Sequence, residues 1–228
     1  LTPQMKERFD IRVDALTPTE LISALLKAPV DLIWNGGIGT YVKSSQEQHS
    51  DVGDKANDAV RVNGCDMRAK VIGEGGNLGM TQLGRIEYAL HGGLSNTDFI
   101  DNSGGVDCSD HEVNIKILLN DIVQNGDLTL KQRNQLLVEM TDEVAQLVLE
   151  NNYRQTQAIS IARSESVYRM GEYRRYIHAL AASGRLDREL EFIPNEEELH
   201  ERIGSGKGLV RPELAILLSY TKSILKDA

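Results

Sequence analysis

Apolar positions in this chain follow two different rhythms. Up to about residue 108 they come as short runs that stop at glycine and asparagine; beyond it they recur with a helical period. In the first part, Thr17-Pro18-Thr19-Glu20 reads as a capping box with proline at the first helical position, followed by Leu21, Ile22, Ala24, Leu25 and Leu26, and Pro29 closes the helix. Val30–Trp34 then predicts a short buried strand ending at Asn35-Gly36-Gly37. A second strand, Ala69–Ile72, ends at Gly73-Glu74-Gly75-Gly76-Asn77, and a helix from about Thr81 to His91 is closed by Gly92-Gly93. A third strand, Thr97–Ile100, ends at Asp101-Asn102-Ser103-Gly104-Gly105. Between Gly39 and Arg68 the pattern predicts a loop and then a helix including Asp54 to Val62.

In the second part, Ser109-Asp110-His111-Glu112 predicts a cap for a helix running to Gly126. Thr129 with Gln132 opens another helix, with Leu136, Leu137, Met140, Val144, Leu147 and Val148 on a helical repeat. A long helix carries Ile159, Ala162, Val167, Met170, Tyr173, Ile177 and Leu180 on one stripe. Asn195 with Glu198 starts a short helix whose first turn holds Glu196-Glu197-Glu198, and Pro212 begins a last one with Leu214, Ile216, Leu217, Tyr220 and Ile224. The fold class is therefore α/β over 1–108, followed by an all-helical C-terminal region over 109–228.

Composition agrees with a soluble globular chain: 228 residues, 40% hydrophobic and 26% charged. The net charge of −9 excludes a nucleic-acid or polybasic membrane-surface role, because residues 1–110 hold 10 basic against 16 acidic side chains and residues 111–228 hold 15 against 18. No apolar run approaches the roughly 20 residues of a membrane span, and no signal peptide opens the chain. Cys65 and Cys108 form no metal or redox motif and suit a reducing cytoplasm. The first residue, Leu1, points to a piece of a longer protein, and such a piece is expected to leave apolar surface exposed.

Of the 20 glycines, fourteen lie between Gly36 and Gly105, around the predicted strand ends. Ligands of open parallel sheets bind outside the carboxyl ends of the strands. Glycine admits close backbone approach, and asparagine offers both a donor and an acceptor. Asn35, Asn77 and Asn102 thus converge on one nucleotide-like ligand, or else each Asn-Gly loop is simply a turn. Gly37-x-Gly39 and Gly73-x-Gly75 are fragments of a Gly-x-Gly pattern without the rest of a dinucleotide fingerprint, and there is no P-loop. Asp110, His111 and Glu112 read as a solvated face and cap rather than a metal cluster. His49, His91, His178 and His200 read as structural or surface residues, and Cys108 as a small buried side chain.

Lys70-Val-Ile-Gly-Glu-Gly-Gly-Asn-Leu-Gly-Met-Thr-Gln82 resembles the Glu-Gly-Ala-Asn loop of glutamate dehydrogenases, and Asp101-Asn-Ser-Gly-Gly-Val-Asp-Cys-Ser-Asp-His-Glu112 resembles their Asn-Ala-Gly-Gly-Val-x-x-Ser-x-x-Glu motif. Trp34–Val42, Gly53–Asp58 and Gly208–Ala215 resemble the large bacterial NAD-specific members, so the likeness covers essentially the whole chain. The resemblance implies that Asn102 holds the nicotinamide carboxamide, Asn77 lies near the nicotinamide ribose, Asn35 and Gly36 line the cofactor cleft, and Ser109 contacts the side-chain carboxylate of glutamate. Ser109 by its spacing from Glu112 also reads as a helix cap. The resemblance further implies a partial Rossmann-like, doubly wound cofactor domain over 1–108, oxidation of L-glutamate to 2-oxoglutarate and ammonia, NAD as cofactor, a cytoplasmic setting and a homo-oligomeric full-length enzyme. No metal and no catalytic residue is assigned. The family's catalytic lysine and aspartate and its phosphate loop match nothing in this chain, so it is expected to be inactive alone. The rival reading is a non-catalytic nucleotide-responsive or protein-interaction module derived from a dehydrogenase.

Overall fold

A computed structural model describes residues 1–227. Its elements run α1 (Pro3–Phe9), α2 (Pro18–Leu26), β1 (Leu32–Asn35), β2 (Val42–Lys43), α3 (His49–Val52), β3 (Val62–Asn63), β4 (Val71–Glu74), α4 (Gln82–Leu90), β5 (Leu94–Ser95), α5 (Asp98–Asp101), α6 (Ser103–Gln124), α7 (Leu130–Glu139), α8 (Thr141–Glu165), α9 (Met170–Ala182), α10 (Glu196–Gly204) and α11 (Arg211–Asp227). The result is a mixed α/β molecule with small parallel sheets and a helical C-terminal part.

Three parallel strands lie in the order β1-β4-β5, with Asn35 opposite Glu74 and Val71 opposite Leu94. A second parallel pair, β2-β3, aligns Val42 with Val62. The face of the main sheet that carries Ile33 and Ile72 packs with Tyr88 of α4 and with Val42, Val62, Met67, Ala69 and Met80 into one apolar core. The helices build a second core around Ile159, Ile177, Leu180, Leu199, Leu209 and Leu214, with Ile100 of α5 joined to it. Arg211 ties α11 to the sheet end: its Nε donates to Asn96 Oδ1 at 2.9 Å and its Nη1 to Ser160 Oγ at 2.9 Å.

Local signals succeed where a side chain closes its own helix. Thr17 with Glu20, Thr129 with Gln132 and Asn195 with Glu198 all form reciprocal capping boxes. Thr81 caps α4, whose C-cap is His91, and Pro212 lies in the first turn of α11.

Several expectations are corrected by tertiary structure. Thr97–Ile100 is not a strand. Thr97 is the extended residue before α5, and Ile100 is 3% exposed while Phe99 is 39% exposed, a one-sided burial that suits a helical turn. The third strand is instead Leu94–Ser95, directly after the glycine pair. No helix covers Asp54–Val62. The Asp54 carboxylate accepts from the Thr40 N–H at 2.8 Å and the Asn57 amide at 2.7 Å, leaving a short 3-10 turn, and Val62 enters a strand. The strand at Leu32–Asn35 is only half buried, with Leu32 at 55% and Trp34 at 60% exposure, because one face of the sheet is largely uncovered.

The helix expected to start at Ser109 starts at Ser103. Ser103 Oγ donates to Asn152 Oδ1 at 2.6 Å, with Ile100 O also within reach at 3.1 Å, and this anchoring offsets the poor helix propensity of Gly104 and Gly105. Ser109 is therefore inside α6 and caps nothing. Residue 108 also falls within α6, and Cys108 is exposed rather than buried. The helix opened by Thr129 ends at Glu139, and α8 follows after Met140. The stripe from Ile159 to Leu180 is divided between α8 and α9 at Ser166–Arg169, where buried Ser166 donates to Leu209 O at 3.2 Å.

Candidate functional site

Because β1 and β4 are parallel and in register to their last residues, the loops that leave them start side by side. Gly76 N–H donates to Asn35 O at 2.9 Å, and Gly37 N–H donates to Asn35 Oδ1 at 3.3 Å. The approach is close enough to exclude a side chain: a Cβ on Gly76 would come within 2.2 Å of Gly37 O, and one on Gly79 within 2.0 Å of Asn35 Nδ2. Gly36 lies against the Trp34 indole.

The third loop arrives through α6. Asn102 is its N-cap residue. The Asn102 Nδ2 group donates to Asn77 Oδ1 at 2.6 Å and to Gly76 O at 3.4 Å. Since a backbone carbonyl can only accept, this sets the orientation of the Asn102 amide, and the Asn77 amide follows from it. Both Asn102 amide protons are thus engaged, while among the described residues no group bonds Asn102 Oδ1 or Asn77 Nδ2. Asn102 Oδ1 thus remains as one acceptor and Asn77 Nδ2 as one donor with bonding capacity to spare. Asn35, Gly36, Asn77 and Asn102 are therefore drawn into one cluster at the carboxyl end of the sheet.

Ser109 stands apart from that cluster. It is exposed, seven residues along α6 from Asn102, which is about 10 Å of helix and nearly two full turns. Two turns bring it back to the face of α6 that Asn102 occupies. Its neighbours pair locally: His111 with Asp107 at 3.6 Å and Lys116 with Glu112. Among the described residues no group of His, Cys, Asp and Glu is arranged to hold a metal ion.

A set of charges beneath the loops escaped the sequence reading. Glu74, at the end of β4, is 1% exposed and receives Arg85 of α4 in a two-pronged pair, Nε to Oε1 at 2.6 Å and Nη2 to Oε2 at 2.9 Å. Glu74 Oε2 also accepts from Met80 N–H at 3.1 Å. Burial pushes the Glu74 carboxyl above the usual carboxylate range, against the pull of Arg85. Asp101 Oδ2 accepts from Glu74 N–H at 3.0 Å and its Oδ1 from Asn96 Nδ2 at 2.8 Å, and burial raises its pKa as well. Asp98 Oδ2 accepts from Leu78 N–H at 2.8 Å, and its Oδ1 lies 3.3 Å from Arg85 Nη2. These carboxylates fasten the β4–α4 loop to α5. The available signal was the charge at the end of an apolar strand, Val71-Ile72-Gly73-Glu74, since a charge there is buried unless the strand stops short.

Comparison with known proteins places this cluster in context. The family described as "Bacterial NAD-glutamate dehydrogenase, catalytic domain" matches residues 1–162. The chain is 68% identical over 228 residues to the NAD-specific glutamate dehydrogenase of Pseudomonas aeruginosa, covering 100% of this chain and 14% of that protein. It is 61% identical over 226 residues to the protein of the same description from Halomonas elongata, covering 99% and 14%. It is 52% identical over 212 residues to that of Mycobacterium tuberculosis, covering 93% and 13%. The chain thus spans about one seventh of the length of these relatives. No helix among the described residues is long and apolar enough to cross a membrane.

Proposed function

The chain belongs to the bacterial NAD-glutamate dehydrogenase family, and from that premise we propose that it forms one wall of the cofactor and substrate cleft of an enzyme that oxidises L-glutamate to 2-oxoglutarate and ammonia. Residues 1–108 supply the late part of a Rossmann-like NAD-binding domain and residues 109–228 the helical C-terminal region, with α6 crossing from one to the other. The observation that carries the reading is the Asn77–Asn102 pair, which joins the loop after β4 to the start of α6 and leaves one acceptor and one donor without a partner among the described residues.

NAD, when bound, supplies the hydride acceptor. Asn102 Oδ1 accepts from the nicotinamide carboxamide N–H. Asn77 offers its amide N–H to the same end of the cofactor, toward the ribose. The backbone at Asn35 and Gly36 closes against the cofactor without side-chain obstruction. Ser109, farther along the same face of α6, donates its hydroxyl to the glutamate side-chain carboxylate. All of these groups are neutral: they orient partners and exclude water, and none serves as the acid or base of the reaction. A cytoplasmic setting, a role in amino-acid catabolism and homo-oligomerisation of the full-length enzyme belong to the same proposal; the two free cysteines, Cys65 and Cys108, support the reducing compartment.

The test is direct. The full-length polypeptide should reduce NAD when L-glutamate is added, with 2-oxoglutarate appearing in equal amount. Full-length protein that is folded and binds NAD yet does not turn over glutamate overturns the proposal.

A further inference from the structure

Leu78 has φ +56°, in the left-handed region that a leucine rarely occupies, and its side chain is 63% exposed. Its own packing therefore does not hold it there, and a strained residue persists only where its surroundings impose the conformation. The loop around it is fastened at both ends, by Gly76 N–H to Asn35 O, Met80 N–H to Glu74 Oε2 and Tyr41 N–H to Gly79 O. At the apex the backbone N–H of Leu78 has one acceptor, Asp98 Oδ2 at 2.8 Å. Asp98 is itself fixed, because Oδ1 accepts from Phe99 N–H at 3.0 Å and faces Arg85 Nη2 at 3.3 Å, and Arg85 is locked on buried Glu74. Asp98 also belongs to the turn that ends in Asn102, whose N–H donates to Asp98 O at 2.8 Å. The Asp98 carboxylate thus sets the Asn77 half of the amide pair through the Leu78 amide, while the main-chain carbonyl of the same residue holds the turn that leads to Asn102.

We infer that Asp98 is a positioning residue for the cofactor amide site, holding Leu78 in its left-handed conformation so that Asn77 meets Asn102. This inference rests on the proposed cofactor reading of Asn77 and Asn102. Without the Asp98 carboxylate, Leu78 relaxes to negative φ and carries the Asn77 side chain away from Asn102. Asparagine at 98 keeps an acceptor for the Leu78 N–H but loses the charge facing Arg85. Glycine at 78 has no left-handed penalty and needs no clamp.

The experiment measures KM for NAD and for glutamate, and kcat, in the full-length enzyme. Asp98→Ala should raise the NAD KM about 10-fold and leave the glutamate KM within about 2-fold. Asp98→Asn should stay within about 3-fold of the wild type for NAD. In a Leu78→Gly background the effect of Asp98→Ala should shrink to about 3-fold or less. Equal damage from Asp98→Ala and Asp98→Asn, a proportional rise in both KM values, or a 10-fold effect that survives Leu78→Gly overturns the inference. If Asp98→Ala does not fold, Asp98→Asn decides, a 10-fold rise in NAD KM overturning the inference and a value near wild type supporting it. Asn77→Ala and Asn102→Ala in the same assay separate the two claims: if neither alters the NAD KM, the cofactor reading itself fails, whereas if they do and Asp98→Ala does not, only the positioning role fails.

Discussion

Replacing Asn102 with alanine removes the Oδ1 acceptor together with the amide protons that tie Asn77 and Gly76 to the start of α6. In the full-length enzyme the loss should be about 1–3 kcal/mol, roughly 5- to 150-fold in NAD affinity or turnover. Unchanged kinetics would remove Asn102 from the site. Ser109→Ala gives the contrasting outcome, a larger rise in the glutamate KM than in the NAD KM. Since α6 begins at Ser103, capping no longer competes as an explanation for Ser109, and an equal effect on both constants would count against its substrate role. That Asn35 and Asn77 lie near one another was legible in the sequence, because parallel strands deliver the loops that follow them to one edge, whereas Asn102 reaches them through α5 and not from the strand expected at Thr97–Ile100. Asp98, Glu74 and Arg85 were not legible as a group. Their role depends on α4 and α5 closing over the end of β4, and nothing local in Arg85 distinguishes a buried guanidinium from a surface one.

Elements defined by their own side chains were readable in advance, and elements defined by a neighbour were not. The capping boxes at Thr17, Thr129 and Asn195 needed only four consecutive residues. In contrast α5, the early start of α6 and the break between α8 and α9 each depend on a distant contact, such as Ser103 with Asn152 or Ser166 with Leu209. The junction of α10 and α11 shows what such a contact costs. Glu213 is fully buried, accepts from Arg202 Nη1 at 2.7 Å and Val210 N–H at 2.8 Å, and leaves Oε1 without a partner among the described residues. Burial raises its pKa above the ordinary glutamate value of 4.5, despite Arg202. The folded state then holds the proton more tightly than the unfolded one, so the contribution of Glu213 to stability is greatest below about pH 4.5 and declines as pH rises through its elevated folded value. Amide exchange of Leu214–Leu217, corrected for intrinsic rates, should show opening that becomes easier as pH increases across that window. Glu213→Gln should remove this slope, and a slope unchanged by the substitution would show that another group produces it.

At the scale of the whole molecule, apolar side chains are left exposed on the helices, as at Ile117, Leu118, Val138 and Leu149, and together on one face of the main sheet. Ile33 and Ile72 face α4 and its core, whereas Leu32, Trp34, Val71 and Leu94 on the opposite face are 55%, 60%, 38% and 52% exposed. They border a cleft of about 580 Å³ that Asn152, Tyr153 and Thr156 of α8 close on one side only. An apolar face of this kind drives association in water, and the net charge of −9 opposes it only weakly at moderate salt. The 228-residue chain alone should therefore self-associate as its concentration rises. Its single tryptophan, Trp34, lies in this face, so the emission should move to shorter wavelength in step with the increase in mass seen by light scattering. Trp34→Lys should weaken the association by placing a charge in the contact. The same chain, which spans about one seventh of the length of its relatives, should produce no NADH from glutamate and NAD. Association through the sheet and absence of turnover are independent expectations. A chain that stays monomeric would overturn the first, one that associates with unshifted Trp34 emission would place the contact elsewhere, and glutamate-dependent NADH formation would require an acid–base group within these 228 residues.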